Sequence, residues 1–202
     1  VKEFYDTNLH PDVIDFDDQV VYKNIFQRAN FAGIFQFTEQ RAQEFCANAK
    51  PKSLVDLAAI TAIYRPGPLS ANVHEQYIQA KASPGDIDYI NEHVKYVTKE
   101  TYGFLIFQEQ IALLAHKLGK NLSLDEGNLL RKVLTKKGTG KEARVKKALR
   151  TKFLDGCVEK GIGHSEAEDM WERFEYFSGY GFNKSHAISY SAISFQCAWL
   201  YH

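Results

Sequence analysis

Apolar residues recur every three to four positions along most of this 202-residue chain, a spacing that predicts helices. Residues 18–29 carry Val21, Ile25 and Phe26 on one helical stripe. Gly33-Ile-Phe-Gln-Phe37 alternates and is aromatic, which predicts a short strand. A helix follows from about 39 to 48. Ser53, with Asp56 in the first turn, predicts an N-cap for a helix running through Ile63. Arg65-Pro66-Gly67-Pro68 ends that helix, because proline removes a backbone donor and pushes the residue before it to extended geometry. Residues 70–81 read as helix, and Ser83-Pro-Gly-Asp86 as a turn.

The second half is patterned more strongly. Residues 108–118 form an apolar-periodic helix with Gly119 as its stop. Ser123 and Glu126 match a capping box, in which each side chain accepts the other's free backbone N–H. The helix they open carries Leu129, Leu130, Val133 and Leu134, which should anchor it, with Arg131 and Lys132 between them pointing outward. After Gly138-Thr-Gly140, a basic helix spans about 141–160 and stops at Gly161. A second capping-box match, Ser165 with Glu168, opens a helix to about Phe177. The glycine-broken loop Ser178-Gly-Tyr-Gly-Phe-Asn-Lys184 precedes a last apolar helix, capped by Ser185 and running through Trp199. The expected fold class is mainly α, a multi-helix domain with at most a few short strands. Residues 1–17 read as an acidic lead-in and 18–202 as the domain, with subregions at about 18–100 and 101–202.

Composition adds little, since 45% apolar residues and zero net charge are ordinary for a soluble globular protein. No apolar run approaches the roughly 18 residues of a membrane span, and the first residues lack the apolar segment of a signal peptide. Val1 stands where an initiator Met would, so a fragment or a processed chain is expected. Cys46, Cys157 and Cys197 form no Cys-x-x-Cys pair and read as reduced thiols in a cytoplasmic protein. Charge is uneven. Residues 1–100 carry 10 basic and 14 acidic groups, and 101–202 carry 15 and 11. Between Arg131 and Lys152 ten Lys or Arg face the single Glu142. Such a run is either a solvated helix face or a surface for phosphates.

Familiar enzyme motifs are absent. Gly140-Lys141 lacks the rest of a P-loop, and neither a Gly-x-Ser-x-Gly elbow nor His-Glu-x-x-His occurs. The histidines at 10, 74, 93, 116, 164, 186 and 202 do not pair at metal-ligand spacing, so no metal site is expected. Two stretches suggest anion chemistry instead. The Arg131-Lys132 pair suits phosphate oxygens, which an arginine fork meets with two parallel bonds. In the loop, Gly179 and Gly181 permit positive φ and close approach. Asn183, Lys184, Ser185 and His186 offer donors at a helix N-terminus, where free N–H groups and the helix dipole favour negative charge. Tyr180 and Phe182 are either stacking platforms for a base or buried aromatics.

Five segments together resemble the catalytic alpha subunit of bacterial DNA polymerase III, the C-family of replicative polymerases. They are Gly33-Ile-Phe-Gln-Phe37, Ile63-Tyr-Arg-Pro-Gly-Pro-Leu69, Thr101-Tyr-Gly-Phe-Leu-Ile-Phe-Gln-Glu-Gln110, Leu129-Leu-Arg-Lys-Val-Leu-Thr-Lys-Lys137 and Phe177-Ser-Gly-Tyr-Gly-Phe-Asn-Lys-Ser-His186. The resemblance runs from about residue 18 to the end and implies the fingers region. It implies that Arg131, Lys132, Asn183, Lys184, Ser185 and His186 bind the incoming deoxynucleoside triphosphate. It assigns Arg65, Gln108, Glu109, Lys136, Lys137, Tyr180 and Phe182 to shaping the pocket or contacting primer-template DNA. The family commonly has two arginines where this chain has Arg131 and Lys132, and a point charge there replaces a planar fork. Residues 138–144 also depart from the family's proline-containing segment. The palm's catalytic aspartates lie upstream in the family, so no catalytic residue is expected in this chain. Mg2+ belongs to the complete polymerase, and the isolated chain should be inactive. Partners implied are the triphosphate, the primer-template and the palm with the remaining polymerase domains, with no membrane. Two other readings of the basic run stay open: a stand-alone nucleic-acid-binding module without catalysis, and an interaction protein docking an acidic partner.

Overall fold

A computed structural model describes His10, residues 13–134 and residues 140–202. Among them are eleven α-helices and no sheet, in keeping with a mainly α fold. They are α1 (Gln19–Val21), continuing as a π-helical turn over Tyr22–Phe26, α2 (Gln40–Ala49), α3 (Leu54–Ile63), α4 (Pro66–Ser70), α5 (Val73–Ala82) and α6 (Glu92–Thr98). Then come α7 (Gln108–Leu118), α8 (Leu124–Leu134), α9 (Lys141–Glu159), α10 (His164–Ser178) and α11 (Lys184–Tyr201). No described helix is long and apolar enough to cross a membrane. The chain forms two compact units, residues 1–64 with 185–202, and residues 65–184.

The first unit has an aromatic core. Tyr22, Phe26, Phe31, Phe37 and Phe195 are all buried, and Tyr22 lies 5.0 Å from Phe195 between ring centroids. Burial pushes the Tyr22 phenol above its ordinary pKa, with the carboxylates of Asp17, Asp56 and Asp15 adding to the effect. The strand expected at 33–37 is instead two consecutive turns, closed by Ile34 N–H to Phe31 C=O (3.0 Å) and Phe37 N–H to Ile34 C=O (3.2 Å). Gly33 and Gln36 occupy the third turn positions at φ +74° and +71°, as a type II turn requires. Burial falls on Phe31, Ile34 and Phe37, a spacing of three that a strand's period of two cannot produce. In α3, Ser53 Oγ accepts the Asp56 N–H (3.2 Å), and the buried Asp56 carboxylate accepts the Lys52 N–H (2.8 Å).

The second unit packs α7 to α10 around Leu114, Leu118, Leu130, Phe153, Trp171 and Phe174. Ser123 and Glu126 exchange both capping-box bonds, at 2.9 and 3.1 Å, and open α8. Gly161, at φ +78°, ends α9. Its N–H bonds Val158 C=O and the Ile162 N–H bonds Cys157 C=O, both at 3.0 Å, the Schellman arrangement. Burial pushes the Cys157 thiol up to about 11, and all three cysteines are free.

Three boundaries differ from expectation for physical reasons. Pro66 and Pro68 end α3 but also sit in the first turn of α4, where backbone N–H groups have no helical partner to lose. Asn72, left-handed at φ +56°, then delays α5 to Val73. Gly163 rather than Ser165 caps α10, and the Glu168 carboxylate is taken by Arg150 of α9 instead of the helix start.

Glycines in this unit discriminate two kinds of constraint. A Cβ at Gly156 would lie 2.2–2.4 Å from backbone atoms of Leu118, Gly119 and Lys120, which cannot move aside as a side chain would. At Gly161 a Cβ meets nothing within 4 Å, and only the positive φ resists it. Gly156→Ala should therefore cost about 3 kcal/mol, and Gly161→Ala about 1 kcal/mol, measured by thermal or denaturant unfolding. A hydrogen bond from Lys152 holds the Glu126 carboxyl below its usual range, and the Ser123 N–H adds to this. A depressed folded pKa means that the stabilisation is present above the unfolded value and is lost as pH falls through the folded one. Glu126→Gln should thus be less stable than the parent at neutral pH. The two melting temperatures should converge in acid.

Candidate nucleotide-contact site

The site is built around the start of α7. Gln110 is buried at 3% exposure, and its amide is fully used. Oε1 accepts the N–H groups of Ile106 and Phe107, both at 2.9 Å, and Nε2 donates to Thr101 Oγ1 (2.7 Å) and Val97 C=O (3.2 Å). This braces residues 104–107 as an extended strip. The strip pairs with the loop after α10 through a single parallel bridge, Phe107 with Phe182. Its bonds are Phe182 N–H to Ile106 C=O (3.1 Å) and Gln108 N–H to Phe182 C=O (3.0 Å).

The bridge sets the next two side chains. Gln108 Nε2 donates to Gly181 C=O (3.0 Å), and its Oε1 accepts from Arg131 Nη1 on α8 (3.1 Å). The Glu109 carboxylate accepts the Lys184 N–H at the start of α11 (2.9 Å) and Asn183 Nδ2 (2.9 Å). The same Oε1 that takes Asn183 lies 4.0 Å from Arg131 Nη1, within ion-pair range but beyond a hydrogen bond. Lys184 Nζ pairs with Glu100 and sits 5.7 Å from the centre of the Phe107 ring. Arg131, Gln108, Glu109, Asn183 and Lys184 therefore meet in one cluster within the second unit.

Arg65 and Gly67 complete the loop's support. The Arg65 guanidinium donates to Tyr180 C=O and lies 4.7 Å over the Phe182 ring. Burial lowers its pKa. A Cβ at Gly67 would sit 2.0 Å from the Tyr180 ring, so the lack of a side chain there gives Tyr180 its place.

Several sequence expectations change here. Arg131 does not point outward, because its side chain is only 25% exposed and its Nε is buried without a partner. Lys132 is exposed, one residue and about 100° further round the helix. Leu129 does not anchor α8 either, at 41% exposure, whereas Leu130, Val133 and Leu134 do. Neither Gly179 nor Gly181 has positive φ. Gly181 is required by space, since a Cβ would come 2.9 Å from Gln108 Cγ. Ser185 does not cap α11, which starts one residue earlier and takes its acceptor from Glu109. Ser185 and His186 belong to the first unit. There the Ser185 carbonyl accepts Ser189 Oγ (2.9 Å), and His186 lies 4.1 Å from the Tyr190 ring. Lys136 and Lys137 lie outside the described residues.

The basic run is partly neutralised. Lys146 pairs with Glu175 at 2.9 Å, Arg150 with Glu168, and Lys152 with Glu126, tying α9 to α10 and α8. An apolar groove of about 550 Å3 in the same unit, lined by Tyr89, Tyr102, Phe104, Phe174 and Phe177, contains none of the predicted site residues. Among the described residues no three His, Cys, Asp or Glu side chains converge as metal ligands.

Because Glu109 supplies the acceptor for the first N–H of α11, Glu109→Ala should loosen that helix start by about 1 kcal/mol, as loss of an N-cap does. Hydrogen exchange at the Lys184 amide should quicken roughly fivefold, while amides deep in α8 keep their protection. Unchanged exchange at Lys184 would show that the carboxylate does not hold the helix.

Residues 1–161 match the family model described as the bacterial DNA polymerase III alpha subunit finger domain. The chain is similar to DNA polymerase III subunit alpha of Campylobacter jejuni, 36% identical over 99% of this chain and 16% of that protein. The Aquifex aeolicus protein of the same name is 33% identical over 99% of the chain and 17% of its own length. That of Borreliella burgdorferi is 38% identical over 91% and 15%. The chain thus spans about a sixth of the length of these curated relatives. The loop at 177–186 lies beyond the family model's match but inside the alignments that cover 99% of the chain. With its helical fold and four-fifths of its length matched, this chain belongs to the finger-domain family of the bacterial DNA polymerase III alpha subunit.

Proposed function

We propose that this finger domain grips the triphosphate of the incoming deoxynucleotide during template-directed DNA synthesis, with Arg131 as its principal contact. The supporting observation is the state of Arg131. Its guanidinium is held at one nitrogen by a neutral acceptor, Gln108 Oε1, and lies beside the start of α11. The hydrogen bond that fixes the guanidinium thus goes to a partner without charge, while the nearest carboxylate, that of Glu109, stands 4.0 Å away. In nucleotidyl transfer the primer 3′-hydroxyl attacks the α-phosphate, and negative charge builds on the departing pyrophosphate. A fixed cation beside the β- and γ-phosphates stabilises that charge and orients the α-phosphate, without reorganising at the moment of reaction.

Lys132 adds a point charge in this reading, Lys184 one shared with Glu100, and Asn183 a neutral donor. Ser185 and His186 join them on the strength of the sequence resemblance. Tyr180, 37% exposed, has more free ring surface for a base than Phe182, whose face Arg65 covers. Primer-template contact is assigned to the exposed cations of α9, Lys141, Arg144 and Lys147. The ion pairs of Lys146, Arg150 and Lys152 count against the alternative of a stand-alone nucleic-acid binder using the whole basic run. The isolated chain is proposed not to polymerise.

In a complete DNA polymerase III alpha subunit carrying this chain as its finger domain, Arg131→Ala should raise the KM for deoxynucleotide. It should also lower kcat/KM by about 100-fold or more, the scale of losing one preorganised charge contact. Primer-template affinity should stay within about twofold of the parent. Incorporation kinetics like the parent's would remove the role.

A further inference from the structure

Resting on that reading of Arg131, we propose that Gln108 is a positioning residue: it aims the arginine at the triphosphate and, being uncharged, adds no second carboxylate to the one that Glu109 places 4.0 Å away. The residue is held by three bonds, one from its backbone and two that fix the orientation of its side-chain amide. Gln108 N–H reaches Phe182 C=O at 3.0 Å, Nε2 reaches Gly181 C=O at 3.0 Å, and Oε1 faces Arg131 Nη1 at 3.1 Å. The side chain packs against Gly181, where a Cβ would lie 2.9 Å from Gln108 Cγ, so the approach needs glycine at that position. The loop and the arginine are consequently joined through one side chain, although 50 residues of chain separate Arg131 from Gly181.

The chemistry of that side chain matters as much as its place. Gln has a donor and an acceptor, and both are in use. A glutamate of the same shape could not donate to Gly181 C=O, and its carboxylate would form a charge-assisted pair with Arg131 that a phosphate must displace. The neighbouring residue shows the contrast. Glu109 is charged, but its oxygens are hydrogen-bonded to Lys184 N–H and Asn183, and Oε1 stands 4.0 Å from Arg131 Nη1. The neutral residue touches the arginine and the charged one holds the helix start.

The test uses the complete polymerase subunit carrying this chain, with single-nucleotide incorporation at varied deoxynucleotide and inhibition by inorganic pyrophosphate. Gln108→Glu should raise the deoxynucleotide KM and the pyrophosphate inhibition constant together, by about tenfold, as expected for a phosphate displacing a charged partner. Gln108→Met, of similar length and without hydrogen bonds, should raise both by less. Primer-template affinity should be unchanged in each, and kcat at saturation should fall less than KM rises. In the Arg131→Ala background, Gln108→Glu should add little, because it acts through the arginine. A KM within twofold of the parent in both Gln108 variants, or full additivity with Arg131→Ala, overturns the positioning role. If Arg131→Ala itself leaves both constants unchanged, the triphosphate reading fails and this inference with it. Should Gln108→Glu lose primer-template binding through misfolding, Gln108→Met decides: a selective rise in both constants supports the role, and unchanged constants overturn it.

Discussion

Two backbone hydrogen bonds across Phe107 and Phe182 hold the second unit's chemistry in place. They join segments 75 residues apart, a loop closure whose entropic cost must be offset locally. The offset comes from Gln110 beneath the strip and from Arg65 beside the loop. The buried amide satisfies both free N–H groups of the strip, which would otherwise each cost about 1–3 kcal/mol when buried. Without this bridge, Gln108 would have no Gly181 carbonyl to grasp and Glu109 would not reach the start of α11. The three consecutive polar residues 108, 109 and 110 thus do three different things: one aims an arginine, one caps a helix and one braces a strip.

Charge in this unit is arranged by distance as much as by sign. The carboxylate of Glu109 neighbours Arg131 without hydrogen-bonding it, so the attraction is softened and the donors of the guanidinium are not all consumed. On α9 the opposite holds. Lys146, Arg150 and Lys152 are matched to acids on neighbouring helices, and these half-exposed pairs contribute little stability individually but fix how the helices register. A run of ten cations in a sequence is therefore a poor measure of the positive surface available to DNA.

Most helices were legible because their signals are local. The expected helices at 39–48, 53–63, 108–118 and 141–160 are found at Gln40–Ala49, Leu54–Ile63, Gln108–Leu118 and Lys141–Glu159, each within about two residues. Ser53, Ser123 and Gly161 cap or stop as their neighbours dictate. Failures occurred where tertiary partners decided the outcome. Gly33–Phe37 alternates like a strand, yet among the described residues no second strand pairs with it, and turns bury every third residue instead. Ser165 has the spacing of a cap, but Arg150 takes the carboxylate that would have completed the box. At the site, Arg131, Asn183 and Lys184 stood out by residue type. The joint between them did not, since Gln108 and Glu109 act through contacts 23 to 75 residues away that no local pattern encodes.

The Arg65-Pro-Gly-Pro segment shows how a motif can support a loop. Arg65 lies across Phe182 and donates to Tyr180 C=O, Pro66 starts a helix where its missing N–H costs little, and Gly67 leaves the space that the Tyr180 ring fills. Each residue shapes the loop that presents Gly181 C=O to Gln108. A half-buried guanidinium is an expensive support, as its lowered pKa reflects, and a neutral residue could pack there more cheaply. What an arginine adds is a planar cation able to cover an aromatic face and bond a carbonyl at once, fixing the Phe182 ring and the Tyr180 carbonyl in a single contact. That contact matters because an arginine aimed through a chain of hydrogen bonds is placed only as accurately as the most mobile link in the chain.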